Sequence, residues 1–207
     1  MKGSCIVIAC FVVGFLAGHI SKVEVAWLHT ASVWLLYLLM FQVGLSVGSD
    51  PRSIALIKQV KPATLLLPLT TVAGAIALTA SVSPLLKGIT CADAMAVNSV
   101  CGYYSLSSIM LPNLRETEIG VVEAAQLGAI ALLANVVREL MALTGAPLIA
   151  RYCGKNAVVA AAGVTSVDVC LPAIRRWCGE NYVGIAIVHG TLIDITCPFL
   201  LSFFASL

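Results

Sequence analysis

The feature that most constrains this chain is its series of long apolar segments, each separated from the next by charged residues or by Pro and Gly. Seven such segments occupy approximately residues 4–18, 26–48, 62–82, 89–111, 119–150, 156–174 and 181–206. Most are long enough to cross the hydrocarbon core of a bilayer, which is about 30 Å thick. Inside a membrane the backbone must satisfy its own hydrogen bonds, so we predict an all-α, polytopic membrane helix bundle.

Composition excludes several other classes of protein. With 60% hydrophobic and 11% charged residues, the chain is far more apolar than a soluble domain, whose charged share is about 25%. The net charge of +2 is scattered, whereas nucleic-acid binding requires a clustered basic face, so no nucleic-acid partner is expected. The eight cysteines include no Cys-x-x-Cys pair and are predicted to be small buried side chains. We therefore expect no metal site and no cofactor.

Two of the seven segments are poor candidates for lipid-facing helices. The segment 89–111 is rich in Ser, Gly, Tyr and Asn, and the segment 156–174 is built of Ala, Gly, Val and Thr up to Asp168. Broken backbone is tolerated at membrane depth only where protein buries it or where it lines water. We predict about five full spans plus two re-entrant segments, with seven full spans as the alternative. The first segment follows Lys2 but has no convincing cleavage site, so we expect it to be retained as a membrane helix.

The distribution of basic residues favours the re-entrant arrangement. With seven full spans, seven lysines and arginines fall on one face and four on the other. If the fourth and sixth segments are re-entrant, Arg151 and Lys155 join the larger group and Arg115 leaves it, giving eight against three. Both arrangements place the N-terminus and the loop 49–61 in the cytoplasm and the C-terminus outside.

The re-entrant arrangement also resembles an internal inverted repeat. The two broken segments enter from opposite faces, and each leads into a long apolar helix. Aligning residues 130–133 with residues 185–188 brings Glu139 onto Asp194. Transporters with inverted repeats bind their substrates near the midplane, between broken segments. We therefore predict a single transmembrane transporter domain over residues 1–207.

Two acidic residues lie deep within the predicted membrane segments. Asp168 is the only charged residue between residues 156 and 174, and Glu139 lies mid-way along the preceding segment. An ionisable group at that depth costs about 2.5–3.5 kcal/mol on insertion scales, so it is usually kept for function. The spacing predicts that the Asn135 amide reaches both Arg138 and Glu139 along one helix flank. The alternative is that Arg138 and Glu139 only fix helix packing.

Oxygen atoms precede Asp168 in the sequence. Thr165 and Ser166 could join the Asp168 carboxylate in holding an ammonium group, a proton or a hydrated sodium ion, since all three favour oxygen ligands. The alternative is that Asp168 marks a cytoplasmic loop. On the first interpretation, Thr165, Ser166 and Asp168 belong to a substrate or ion site.

Uncharged polar groups could form the opposing wall of such a site. Tyr103, Tyr104 and Ser105 supply aromatic faces and hydroxyls able to hold an alkyl-ammonium group, although tyrosines also occur in belts at the membrane interface. Two further candidates are His189 and Asp194. His189 could relay protons or could be a hydrogen-bonded packing residue.

These polar residues fall within four short motifs that resemble the bacterial LysO-type lysine exporter family in order and spacing. The motifs are GYYSLS at residues 102–107, VREL at 137–140, TSVD at 165–168 with LP at 171–172, and IVHG at 187–190. The resemblance covers nearly the whole chain. It implies an inner-membrane exporter of L-lysine, with Glu139 and Asp168 matching the family's intramembrane acidic pair. It also implies that full-length members carry further helices ahead of this region.

Energetics favour a coupled exporter. Moving a lysine cation out of a negative interior costs about 2.3 kcal/mol per 100 mV, and returning one proton cancels that charge movement. A buried carboxylate can hold either the proton or the ammonium group, so the two occupancies exclude each other. We expect proton-coupled antiport, a bilayer environment and a homodimer or a small helical partner subunit. Sodium coupling, import of another solute and a non-transporting subunit are the alternatives.

An enzyme is not expected. An intramembrane aspartyl protease would require two facing aspartates, for which Asp168 and Asp194 could be proposed. Neither a Tyr-Asp nor a Gly-x-Gly-Asp sequence accompanies them. No catalytic residue is therefore assigned.

Overall fold

The computed structural model describes residues 62–207 continuously and isolated positions between residues 13 and 51. The chain divides into two compact units, residues 1–38 and 39–207, and all elements named below belong to the second unit. Every regular element among the described residues is helical, which confirms the predicted all-α bundle. The apolar segments predicted at 4–18 and 26–48 lie outside the continuously described range, and the single domain over residues 1–207 stays a prediction.

Seven α-helices follow in chain order within residues 62–207. They are α1 (Leu66–Val82), α2 (Cys91–Ser99), α3 (Tyr104–Ile119), α4 (Val121–Tyr152), α5 (Lys155–Ala162), α6 (Leu171–Cys178) and α7 (Asn181–Ala205). Short 3-10 turns flank α1 at Pro62–Leu65 and Ser83–Leu85, and another, Gly163–Val167, follows α5. Three stretches in this range are long and apolar enough to cross a membrane: Ala63–Leu85, Val121–Tyr152 and Asn181–Ala205.

The predicted segment 89–111 forms part of a hairpin that returns to the face from which it enters. Its two arms, α2 and α3, are joined at residues 100–103, where Cys101 has a φ of 47° and Gly102 a φ of 101°. Near the open end, Arg115 Nε of α3 lies 2.9 Å from Asp93 Oδ1 of α2. This ion pair brings the start of α2 beside the end of α3. We call residues 91–119 hairpin 1 and residues 100–103 tip 1.

The predicted segment 156–174 also lies in a hairpin. Its arms are α5 and α6, and residues 163–170 between them form tip 2. At the open end, the Cys178 thiol of α6 donates to the Lys155 carbonyl of α5 across 3.7 Å. The start of α5 and the end of α6 are thus adjacent. We call residues 155–178 hairpin 2.

The two hairpins enter from opposite faces of the bundle. At the end of α7, the Ala205 carbonyl accepts a 3.2 Å hydrogen bond from Arg115 at the open end of hairpin 1. At its start, the Tyr182 ring lies 5.6 Å from Lys155 Nζ at the open end of hairpin 2. We name the two faces the Asp93 face and the Lys155 face. Hairpin 1 with α4 and hairpin 2 with α7 therefore repeat one element order in opposite directions, which is the topology of an inverted repeat.

The tips of the two hairpins meet inside the bundle. The Val164 amide donates to the Cys101 carbonyl across 3.0 Å. Gly163 has a φ of 62°, and a Cβ atom there would lie 1.9 Å from the Cys101 oxygen. On α7, a Cβ atom at Gly190 would lie 2.8 Å from Ser166 Oγ. Both glycines are therefore required by close approach, and Gly163 by its backbone conformation as well.

Small side chains let the helices around hairpin 2 approach closely. The buried residues that pack together there include four alanines, two cysteines, two valines and one isoleucine, namely Ala142, Ala146, Ala162, Ala186, Cys170, Cys178, Val158, Val159 and Ile174. Between membrane helices, association depends on van der Waals packing at such small residues, because lipid is as apolar as the protein. The packing fixes hairpin 2 against α4 and α7.

The ion pair of hairpin 1 should contribute strongly to stability. The Arg115 and Asp93 side chains are only 9% and 7% exposed. Removing one partner of a buried pair leaves an uncompensated charge, so we expect Arg115→Gln to destabilise the protein by about 3–5 kcal/mol. The double variant with Asp93→Asn should recover part of that loss. Thermal unfolding in detergent measures both effects.

The matched control is the pair between Arg175 and Glu180, whose side chains are 65% and 61% exposed. Because solvent screens an exposed pair, Arg175→Gln should cost less than about 1 kcal/mol. Equal losses of stability for Arg115→Gln and Arg175→Gln would contradict a buried ion pair between the two arms of hairpin 1.

Candidate functional site

Two carboxylates on the long helices interact with a third carboxylate, that of Asp168, in tip 2. Glu139 on α4 interacts electrostatically with Asp168 in tip 2. Asp194 on α7 interacts with the same Asp168. Tyr103 at the end of tip 1 interacts with Asp194 and Asp168, and Tyr104 with Glu139 and Asp168. These five residues, from four separate elements, are called the acidic site below.

The Glu139 carboxylate is incompletely satisfied. Among the described residues, its Oε2 atom is buried and has no hydrogen-bond partner. A buried polar atom without a partner costs free energy and is uncommon in native proteins. Asp168 differs, because its side chain is exposed and Oδ1 accepts a 2.5 Å hydrogen bond from the Val169 amide. The acidic site thus has a half-buried Glu139 with one buried, unpartnered oxygen and an exposed Asp168.

Asn135 supports tip 1. Its Oδ1 accepts a 2.8 Å hydrogen bond from the Gly102 amide, and its Nδ2 donates to the Val97 carbonyl at 3.0 Å and to the Ala131 carbonyl at 2.9 Å. The predicted bonds to Arg138 and Glu139 are therefore replaced by bonds to backbone. At the break between α2 and α3, a side chain from α4 thus satisfies one backbone amide and one backbone carbonyl.

Arg138 binds hairpin 2. Its Nε donates to the Ala161 carbonyl and its Nη2 to the Ala160 carbonyl, each across 3.1 Å. Its Nη1 also lies 3.4 Å from Asn98 Oδ1 on α2. The guanidinium is thus occupied by the last turn of α5 and by hairpin 1. This geometry favours a structural contact over direct contact with substrate.

The structure does not bring Thr165 and Ser166 into one ligand set with Asp168. Thr165 Oγ1 donates to the Ala162 carbonyl at 2.9 Å, and Ser166 Oγ donates to the Ala186 carbonyl of α7 at 2.9 Å. Both side chains are buried, whereas Asp168 is exposed. The tight 3-10 turn rotates successive side chains to different sides, so a run of oxygen-bearing residues in sequence does not become a cluster in space. Thr165 and Ser166 secure tip 2.

His189 is completely buried on α7 and joins two other elements. Its Nε2 lies 3.0 Å from Thr71 Oγ1 on α1, and its Nδ1 lies 3.3 Å from Ser166 Oγ in tip 2. Both ring nitrogens therefore have hydroxyl neighbours. The arrangement is that of a hydrogen-bonded packing histidine, which was one of the two alternatives for this residue.

The start of α3 forms one wall of the acidic site. Tyr103 is buried, and Tyr104 and Ser105 are half-buried in the first turn of the helix. Tyr103 and Tyr104 interact with the carboxylates, while the part of Ser105 in an opposing wall stays a prediction. Among the described residues, no group of three His, Cys, Asp or Glu side chains is arranged to hold a metal ion.

Sequence reasoning did not single out Asn98, and it predicted close backbone approach around Gly163 without identifying what Gly163 contacts. Asn98 Nδ2 donates to Thr79 Oγ1 of α1 across 2.6 Å, and Gly163 provides the contact between the tips. A polar residue in an apolar arm and a glycine beside an alanine run were the available signals. Neither feature identifies the residue that is contacted, because the contacts join residues far apart in the chain.

Comparisons of the sequence with known proteins identify the family of this chain. The sequence profile of the family described as Lysine exporter LysO matches residues 8–205. The lysine exporter LysO of Escherichia coli is 27% identical over 198 residues, which cover 94% of this chain and 62% of that protein. A putative lysine exporter of Haemophilus influenzae is 26% identical over 205 residues, which cover 96% of each chain.

The chain thus spans about three fifths of the length of the Escherichia coli relative but nearly all of the Haemophilus influenzae relative. No solved structure matches significantly. The profile match extends over all seven helices described above and over every residue of the acidic site. The chain therefore belongs to the LysO family of lysine exporters.

Proposed function

We propose that this protein exports L-lysine or a closely related cationic amino acid by proton-coupled antiport, with Glu139 and Asp168 as the exchange sites. Its family is one of transporters, and its apolar helices belong in the bacterial inner membrane. The observation that carries the proposal is the unpartnered Glu139 oxygen, which interacts with an accessible Asp168 between two hairpin tips. The names of two relatives support lysine as the substrate.

The residues of the acidic site have different roles in this proposal. The ammonium group of the substrate binds between Glu139 and Asp168, while the Tyr104 ring offers a cation–π face. The substrate carboxylate lies toward the start of α3, because the N-terminal end of a helix carries partial positive charge. When the cation leaves, a proton takes its place on the carboxylates, because two ionised acids close to each other repel.

Opposed hairpins provide a route to both sides. Tip 1 belongs to a hairpin from the Asp93 face, and tip 2 to a hairpin from the Lys155 face. A small relative movement of the hairpins would open the acidic site first to one face and then to the other. Alternating access in transporters with inverted repeats follows this principle. The proton and the cation therefore use the same carboxylates in turn.

Charge supports an orientation for this cycle. Within residues 62–207, the Lys155 face carries mostly basic residues, namely Arg151, Lys155, Arg175 and Arg176 with Glu180. The Asp93 face carries mostly acidic ones, namely Asp93, Glu116, Glu118 and Glu123 with Lys87 and Arg115. Cytoplasmic loops are enriched in Lys and Arg. We propose that the Lys155 face is cytoplasmic and that the end of α7 lies outside.

Two native cysteines test this orientation. Cys91 at the start of α2 and Cys153 after α4 are both exposed, on opposite faces. In variants that keep only one of them, an impermeant maleimide should label Cys91 in intact spheroplasts and Cys153 only after permeabilisation. Labelling of both cysteines without permeabilisation would contradict the proposed hairpins.

Transport itself is tested with proteoliposomes loaded with lysine. We expect an acidic exterior to accelerate lysine efflux several-fold, because proton entry drives cation exit. Exchange of one proton for one lysine cation moves no net charge, so a potassium diffusion potential should change the rate little. A rate that follows the membrane potential or a sodium gradient, but not the pH gradient, would replace proton antiport by another mechanism.

We further propose that the functional unit is a homodimer or includes a small helical partner subunit. Irregular backbone at membrane depth must be enclosed by protein, and a closed two-fold assembly is the commonest way to add wall area. The mass of the purified protein in detergent, corrected for bound detergent, measures the number of chains. A monomer that exports lysine after reconstitution at one chain per vesicle would exclude both assemblies.

A further inference from the structure

Arg138 lies next to Glu139 on α4, yet its donors are used by the backbone of hairpin 2. Nε and Nη2 form two hydrogen bonds of 3.1 Å with the carbonyls of Ala161 and Ala160. Those carbonyls belong to the last turn of α5, which ends at Ala162. The end of a helix carries partial negative charge, and hydrogen bonds from an ionised donor are stronger than neutral ones. The guanidinium therefore holds the end of α5 against α4.

The same side chain continues into hairpin 1 and α1. Arg138 Nη1 lies 3.4 Å from Asn98 Oδ1, and Asn98 Nδ2 donates to Thr79 Oγ1 at 2.6 Å and to the Ala75 carbonyl at 3.3 Å. One chain of hydrogen bonds thus joins α1, α2, α4 and α5. It connects an arm of each hairpin to two spanning helices. We call these contacts the Arg138 network.

We propose that Arg138 is a positioning residue that fixes tip 2, and with it Asp168, relative to Glu139. Glu139 is the next residue on α4, and Asp168 follows the end of α5 through the short turn Gly163–Val167. The contact of the Arg138 guanidinium therefore joins the helix that carries Glu139 to the helix that leads to Asp168. For its transport readout, this inference rests on the proposed exchange of lysine and protons at these acids.

The chemistry of the contact requires an arginine. Two neighbouring carbonyls and one amide oxygen match the planar, forked donors of a guanidinium, whereas a lysine ammonium is a single point charge. If the contact served packing alone, apolar side chains of similar volume would stabilise the bundle as well. Because the guanidinium binds carbonyls, it does not occupy Glu139 or Asp168, and both carboxylates stay available to a cation.

A kinetic experiment separates positioning from simple structural support. Arg138→Lys keeps the charge and removes the fork, and Asn98→Ala removes the link to α1. We expect Arg138→Lys to raise the KM for lysine roughly tenfold or more, the scale of one charge-assisted hydrogen bond, in protein that is still folded at the assay temperature. Asn98→Ala should give a smaller shift in the same direction. Exposed Arg176→Lys is the matched control and should leave the KM unchanged.

A loss of maximal rate in proportion to folded protein, with KM and the proton-to-lysine ratio unchanged, would mean that Arg138 is only structural. Such a result would overturn the proposal. A shifted KM in folded Arg138→Lys protein supports it, because lost folding lowers the number of sites and not their affinity.

A second measurement is independent of transport. In a chain without native cysteines, Glu139→Cys and Asp168→Cys form a pair whose rate of oxidative cross-linking reports how constantly the two positions face each other. We expect Arg138→Gln to slow that cross-linking several-fold, whereas Arg176→Gln should not. Equal rates with and without Arg138 would overturn the positioning role. If the protein moves no lysine but cross-linking still depends on Arg138, the proposed transport fails and the positioning role stands.

Discussion

Asp168→Asn is expected to abolish lysine transport while the protein folds and inserts normally. The amide keeps the shape of the side chain but can neither ionise nor exchange a proton for an ammonium group. Asp168 is exposed, so its replacement removes no buried packing. We expect the transport rate to fall on the order of a hundredfold or more, the scale of a lost proton-transfer group. Lysine efflux from proteoliposomes, normalised to inserted protein, is the measurement.

Two further variants serve as the comparison and the control for Asp168→Asn. Glu139→Gln removes the sheltered partner of Asp168 and should reduce transport to a similar extent. Glu116→Gln, on an exposed position of α3 at the Asp93 face, makes the same chemical change away from the acidic site and should have no effect. Unimpaired efflux by well-inserted Asp168→Asn protein would exclude Asp168 as an exchange site.

Gly163→Ala is expected to prevent correct folding of the bundle. The new Cβ atom would lie 1.9 Å from the Cys101 oxygen, which is backbone and cannot swing away like a side chain. The φ of 62° and ψ of −129° place Gly163 in a region that is essentially restricted to glycine. Together these effects should exceed about 4–5 kcal/mol, the range of exceptionally damaging substitutions. The yield of monodisperse protein and its melting temperature report the loss.

Gly154→Ala is the matched control for that prediction. Gly154 also has a positive φ, of 90°, but a Cβ atom there meets nothing within 4 Å. Its φ of 90° and ψ of 164° are also a conformation that is essentially restricted to glycine, so its replacement should cost only the backbone strain, about 1–3 kcal/mol. The difference between the two variants isolates the contact between the tips. Equal stability of Gly163→Ala and Gly154→Ala would show that the tips do not meet as described.

Much of the fold followed from apolar length and from charge. The length of the apolar segments predicted α1, α4 and α7 as spans, because no other element satisfies its backbone inside lipid. The distribution of basic residues indicated two re-entrant segments. For hairpin 1 the Asp93–Arg115 ion pair agrees with this, because it joins the start of α2 to the end of α3 at one face. The contact between Gly163 and Cys101 could not be predicted. The local sequence indicates where a helix is interrupted, but the residues that contact the interruption depend on tertiary packing.

In the candidate site too, some features could be predicted from the sequence and others could not. Glu139 and Asp168 stood out because an isolated acid at membrane depth is costly whatever surrounds it. Asn135 and Thr165 were predicted as ligands of charged groups but bind backbone instead. Helical spacing defines which side of a helix a residue occupies, and it does not reveal the partner on the neighbouring element. Broken segments expose backbone groups that compete for every nearby polar side chain.

The most direct test of the central proposal counts protons and lysine in the same vesicles. Proteoliposomes loaded with lysine and a pH-sensitive dye report proton entry, while sampling of the exterior reports lysine exit. Proton-coupled antiport at Glu139 and Asp168 predicts one proton entering for each lysine leaving, with both fluxes lost together in Asp168→Asn. Lysine efflux without proton entry, or proton entry that persists in Asp168→Asn, would contradict it.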